Sequence, residues 1–257
     1  MERMRGWMRR SLLIFRWEMA GTGRLLIMVL LLAVALFSYS SGIRETGLGR
    51  ATADRVASLA LWNGTGDLYV LATPIIAALV TLSIALERET GLMATYLGLS
   101  ANIKQLLTGK LLATLTTIIA PLAVGAAATA FLVTPQAPLT ALASLASTRF
   151  LLTLLGLLFM TFFILFLCLA TSLVAKRPIY SFVFPTSILY LFWYVSFTTP
   201  KIKDILPPRV LLPPNPIRYY TIWDFLEGSG PLLAYLAVAF LALLVAATFF
   251  IRSPERI

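Results

Sequence analysis

Histidine is absent from this chain of 257 residues, cysteine occurs once, and the longest apolar runs carry no charge. Without histidine, the commonest general base, metal ligand and physiological pH switch are missing. A serine–histidine intramembrane protease is thereby excluded. The lone Cys168 cannot form an internal disulfide, so cysteine usage says nothing about the redox compartment. No aspartate lies in an apolar run, which excludes a two-aspartate intramembrane protease. A proton-coupled carrier normally keeps an ionisable group at depth despite a penalty of roughly 2.5–3.5 kcal/mol. None is found there. The pair Gly109-Lys110 does not complete a phosphate loop, because Lys104 stands where the first glycine belongs and Leu111 where Ser or Thr belongs. Catalytic, metal and cofactor sites are therefore not expected on this chain, nor is ATP hydrolysis.

What the chain has is length in apolar sequence. Six runs cover residues 25–43, 68–86, 111–133, 150–175, 179–198 and 231–251. Each is close to the ~20 residues that a helix needs to cross about 30 Å of hydrocarbon. Mean hydropathy is +0.88, 59% of residues are hydrophobic and 12% are charged, as expected where the solvent is mostly lipid. Backbone groups in lipid must be satisfied internally, so the runs are helices or strands of a closed barrel. Barrel strands alternate apolar and polar residues. Residues 150–169 do not. The expected fold is all-α: one polytopic transmembrane domain over residues 1–257.

The formal charge of +10 invites a nucleic-acid reading, which position argues against. With the N-terminus inside, the inner segments hold thirteen of the 21 basic residues and carry a net +8, against +2 outside. That asymmetry is the positive-inside pattern, aided by attraction to anionic headgroups. No nucleic-acid partner is expected. The lipid bilayer is, with both termini cytoplasmic in a multi-pass protein of the cell membrane.

Residues 1–24 precede the first run. Arg5, Arg9 and Arg16 share a helical stripe, with Trp7 and Trp17 on other faces. This reads as an interfacial helix on the cytoplasmic leaflet. A frayed basic tail is the plainer alternative. A cleaved signal peptide fits less well, since the following run exceeds a signal core of about 7–15 residues. Gly21 and Gly23 permit the turn into the bilayer. Outside, residues 44–67 form a loop in which Asn63-Gly64-Thr65 is a glycosylation sequon. The inner turn Lys176-Arg177-Pro178 is tight enough to make the fourth and fifth runs a close antiparallel pair. Residues 199–230 contain six prolines followed by Tyr219, Tyr220 and Trp223, which predicts a rigid outer cap with an aromatic rim.

The inner loop 87–110 carries the most specific pattern. Glu87, Arg88 and Glu89 end the second run, Thr90 can cap a new helix, and Gly91 permits a reversal. Leu92, Met93, Tyr96 and Leu97 then fall on one helical face. Gly98 and Ser100 stop that helix, and a second short one over 101–107 leads to Gly109-Lys110. An exposed apolar helix on such a loop suits a partner's groove, with charges fixing register. Spacing alone supports equally that the charges merely end a span.

The loop resembles that of the membrane subunits of ABC transporters of the ABC-2, or type V exporter, class. The stretch E-R-E-T-G-L…S…G-K follows the second of six spans, as theirs does. The matching positions are Glu87, Glu89, Gly91, Leu92, Ser100, Gly109 and Lys110. This chain has Leu92-Met93-Ala94 where that family often has T-L-E, and lacks the proline before Ser100. The basic start and Asn215-Pro216 before the last span also look like that family. The resemblance implies a dimer of membrane subunits, identical or paired, with two copies of a separate ATPase that binds ATP and Mg. Coupling to the ATPase is implied for Glu87, Arg88, Glu89, Gly91, Leu92, Met93, Tyr96, Ser100, Lys104, Gly109 and Lys110. A pathway between the second and fifth spans is implied, and Thr73, Thr81, Ser83, Tyr180, Ser181, Tyr190, Trp193 and Tyr194 on those spans are its candidate lining, with an interfacial aromatic belt an equal reading of Trp193 and Tyr194. Uncharged spans point to a hydrophobic or amphipathic cargo. The alternative from another class is a non-transporting membrane scaffold, which would not need a docking helix fixed between two spans.

Overall fold

The computed structural model describes residues 2–46, 52–98, 102–135, 137–198, 215–216 and 221–252. These are almost entirely helical, with no strand among them. The helices are α1 (Glu2–Met19), α2 (Thr22–Thr46), α3 (Ala53–Asn63), α4 (Thr65–Val80), α5 (Glu87–Glu89), α6 (Leu92–Gly98) and α7 (Ile103–Val133). There follow α8 (Pro138–Leu145), α9 (Thr148–Val174), α10 (Pro178–Thr198), α11 (Ile222–Gly228) and α12 (Gly230–Arg252). A π-helical stretch, Thr81–Leu86, joins α4 to α5. Among the described residues, six helices are long and apolar enough to cross a membrane: α2, α4 with its continuation to Glu89, α7, α9, α10 and α12.

The six apolar runs thus become six long helices, most of them longer than the runs. The third changes most. Asn102 accepts a hydrogen bond from Lys104 N, and the Gln105 side chain accepts one from Asn102 N, a reciprocal cap that starts α7 at Ile103. No separate short helix over 101–107 exists, and Gly109 and Lys110 lie inside a continuous helix. At the start of the chain, the turn falls at Ala20-Gly21, and Gly23 is already helical.

The second span is the central one. Two-thirds of its most apolar window is buried (67%), against 17% for the last span. The segment between the first two spans is not a simple loop. Residues 53–63 form α3, whose Val56, Ala57, Ala60 and Leu61 are buried against α2, α7 and α9. Gly42 of α2 makes that packing possible: a Cβ there would lie 2.0 Å from Ala60 O. Asn63 is half-buried at the end of α3, a poor setting for a glycosylation acceptor. Most of the predicted outer cap lies outside the described residues, including Tyr219 and Tyr220. Trp223, in α11, is exposed.

Candidate functional site

The basic end of the first three spans is built around four charges from four different segments. Glu18 closes α1, Arg24 opens α2, Glu87 follows the π-helical stretch, and Lys110 lies two turns into α7. Arg24 donates to Glu18 Oε2 from Nε at 3.2 Å and from Nη2 at 2.5 Å. Lys110 Nζ donates to Glu18 Oε1 and lies 2.6 Å from Glu87 Oε2. Arg24 also reaches Ser83 Oγ at 3.2 Å and Thr117 Oγ1 at 3.5 Å. Lys110 is 1% exposed and Arg24 6%.

Such burial is sustainable only because the charges compensate. An isolated buried ion costs several kcal/mol, and two acids with two bases form a neutral set. Burial pushes the Glu18 carboxyl upward, but Lys110 and Arg24 together outweigh it and hold the group below its ordinary value. Glu87 Oε2 faces Lys110 without a well-directed hydrogen bond, which marks the least satisfied corner of the cluster. A small recess of about 350 Å³, bounded by Trp17, Glu18, Ala20, Gly21 and Glu87, opens beside it.

Helix α1 is clamped to α7 just above this cluster. A Cβ on Gly109 would lie 2.8 Å from Ile14 Cβ and 2.9 Å from Ser11 O, so only glycine allows the approach. Ser11 is buried there; Trp7, one turn earlier on the same face, is 39% exposed, while Arg9, Arg16 and Trp17 are exposed on other faces. The side chain of Arg5 lies outside the described residues.

From this base the loop projects. Thr90 does not cap α6; its hydroxyl donates to Leu86 O and Glu87 O and closes α5. Gly91, at φ +75°, makes the reversal, a conformation that side chains rarely adopt. In α6 the expected apolar face divides. Leu92 is half-exposed (49%), whereas Met93 is fully buried in the chain's own core and offers no knob to a partner. Helical phase groups residues on a face but does not say which part of it turns inward. Arg88 is also engaged within the chain. Its guanidinium donates to Leu173 O at 3.2 Å and to Ala175 O, and lies 5.9 Å from the Phe250 ring centre. It thus caps the end of α9. Glu89, Leu92 and Lys104 are the exposed members of the predicted coupling set. Ser100 and the side chain of Tyr96 lie outside the described residues.

The candidate pathway residues also divide. Pro74 has no N–H to give Val70 O, four residues back, and Tyr190 of α10 donates its hydroxyl to that carbonyl at 2.8 Å. Tyr69 donates to Leu189 O at 3.1 Å and stacks on Trp193 with centroids 5.5 Å apart. Thr81 and Ser181 share a hydrogen bond of 3.1 Å. These contacts close the seam between the second and fifth spans within one chain. Thr73 donates to Tyr69 O of its own helix, and Ser83 belongs to the ion cluster. Tyr180 and Tyr194 face outward, at 60% and 66% exposure.

Sequence reasoning missed the cluster as a unit and missed the π-helical stretch. The rarity of π-helix, and its frequency at functional sites, draws attention to it. It presents Ser83 to Arg24 and Thr81 to Ser181 from one wide turn. Among the described residues no group of His, Cys, Asp and Glu could hold a metal ion. No protein-family model, no curated protein and no solved structure matches this chain.

Proposed function

We propose that this chain is the membrane subunit of an ABC-2 type exporter, working as a dimer in the cell membrane and driven by a separate ATPase. The observation that carries the reading is the ion cluster at the root of the loop. Exposed Glu89, at the end of α5, and exposed Leu92, at the start of α6, stand on a base that ties α1 and the first three spans together. A push on α6 would therefore be shared by several spans as a rigid-body movement rather than absorbed by a flexible loop. The ATPase would carry ATP and Mg; this chain would supply Glu89, Leu92, Lys104 and the basic face of α1. The closed seam between the second and fifth spans would open in the dimer to pass a hydrophobic or amphipathic cargo.

Purification in mild detergent with mass spectrometry of bound proteins tests this. A nucleotide-binding ATPase is expected to co-purify, and E89A/L92A to release it while the chain remains folded. Recovery of the chain without any ATPase, or retention unchanged in E89A/L92A, would overturn the assignment. The scaffold reading would gain if a different complex were recovered.

A further inference from the structure

Helices α10 and α12 both pack on α9. Between them lies a groove of about 860 Å³ whose walls include Ala170, Val174, Tyr180, Phe184, Ala242 and Phe249. The walls are almost wholly apolar, and Val174, Phe184 and Phe249 are more than half exposed. From Leu167 to Ala175 the groove follows α9 for about 12 Å at 1.5 Å per residue.

In a bilayer the neighbouring solvent is itself acyl chain. Filling an apolar groove therefore brings packing contacts but little selectivity, because lipid tails are as apolar as the wall. Selectivity must come from the headgroup end. There the groove is bounded by the turn between α9 and α10. Ala175 and Tyr180 both line the groove, and Lys176 and Arg177 lie between them in sequence. Both basic side chains are exposed, and neither has an acidic or carbonyl partner among the described residues. Arg88, by contrast, is already committed to Leu173 O and Ala175 O. The Tyr180 hydroxyl stands at the same lip with no protein partner among the described residues. Two cations and a phenol at the polar end of an apolar groove match a phosphodiester with an attached chain.

We propose that this groove binds one anionic glycerophospholipid, with an acyl chain along α9 between Phe184 and Phe249 and the phosphate held by Lys176 and Arg177. The site is independent of the ATPase-coupling reading, since it uses the opposite half of the bundle. It would make the packing of the last span depend on lipid composition.

Native mass spectrometry of the full chain, exchanged into equal amounts of phosphatidylglycerol and phosphatidylcholine with identical chains, reads the site directly. The wild type is expected to retain one phosphatidylglycerol preferentially. In K176Q/R177Q that preference should fall roughly twenty-five-fold, about a factor of five for each basic residue. A242W, at an exposed groove-lining position, should reduce retention of both lipids. The variant R9Q/R16Q removes the same charge from the exposed face of α1 and should keep the preference. Equal retention of the two lipids by the wild type would overturn the proposal. So would an equal loss in R9Q/R16Q, which would mean diffuse charge attraction, or undiminished retention in A242W.

Discussion

The two halves of the bundle are held together by different physics. The first three spans and α1 meet around Glu18, Arg24, Glu87 and Lys110, all largely withdrawn from solvent. The last three meet through apolar side chains and leave a groove along α9. Charge compensation is directional and all-or-none: each ion needs its partner, so the arrangement is specific and intolerant of loss. Apolar packing within lipid is neither, because lipid can replace a missing neighbour. The first half is therefore suited to transmit a displacement, and the second to adjust to its surroundings. Arg88 joins the two, rooted beside Glu87 and clamped on the end of α9 over Phe250.

The sharpest way to break the contrast is Lys110→Met. Removing the ammonium leaves Glu18 and Glu87 buried together, a loss on the order of 3–5 kcal/mol. Thermal unfolding in detergent should show a larger drop for this change than for either of the next two. Arg88→Gln should cost about 1.5–3 kcal/mol, the range for hydrogen bonds to a charged group, and should loosen the halves from each other. Amide hydrogen exchange should then rise at the end of α9 but not in α1. Tyr190→Phe should cost only about 1 kcal/mol, because one carbonyl in a span loses its donor. A loss as large as that of Lys110→Met would mean that the seam, not the ion cluster, is the stronger element.

The cluster also gives a pH signature. The Glu18 carboxyl titrates below its ordinary value of 4.5 in the folded state, despite burial, because of Lys110 and Arg24. Its contribution to stability is thus fully present above that value and lost as pH falls through the lowered folded value. The melting-temperature difference between the wild type and Glu18→Gln should hold from neutral pH down to about 4.5 and shrink below it.

The spans were legible because twenty apolar residues in a row admit few alternatives. Their ends were less so. Lys110 reads as the border of a span because it is charged, yet the Asn102–Gln105 cap starts the helix earlier and Glu18 satisfies the lysine within it. Glu18 and Lys110 are 92 residues apart, and no local spacing encodes that meeting. Helix α3 did leave a signal. Val56, Ala57, Ala60 and Leu61 follow helical spacing, but the segment is too short to cross a membrane and so reads as loop. Met93 shows the limit of periodicity, since the pattern that groups it with Leu92 does not distinguish a docking face from a packed one. The π-helical stretch Thr81–Leu86 has no evident mark in its residue types.

The most direct test compares K110M with E87Q/K110M by thermal unfolding in the same detergent. If the charges hold the first half by mutual compensation, neutralising Glu87 as well leaves Glu18 paired with Arg24 and should restore most of the stability that K110M loses. If K110M alone is tolerated, or the double variant is less stable than K110M, the four residues do not act as one compensated cluster. The rigid base proposed for the loop would then have no foundation.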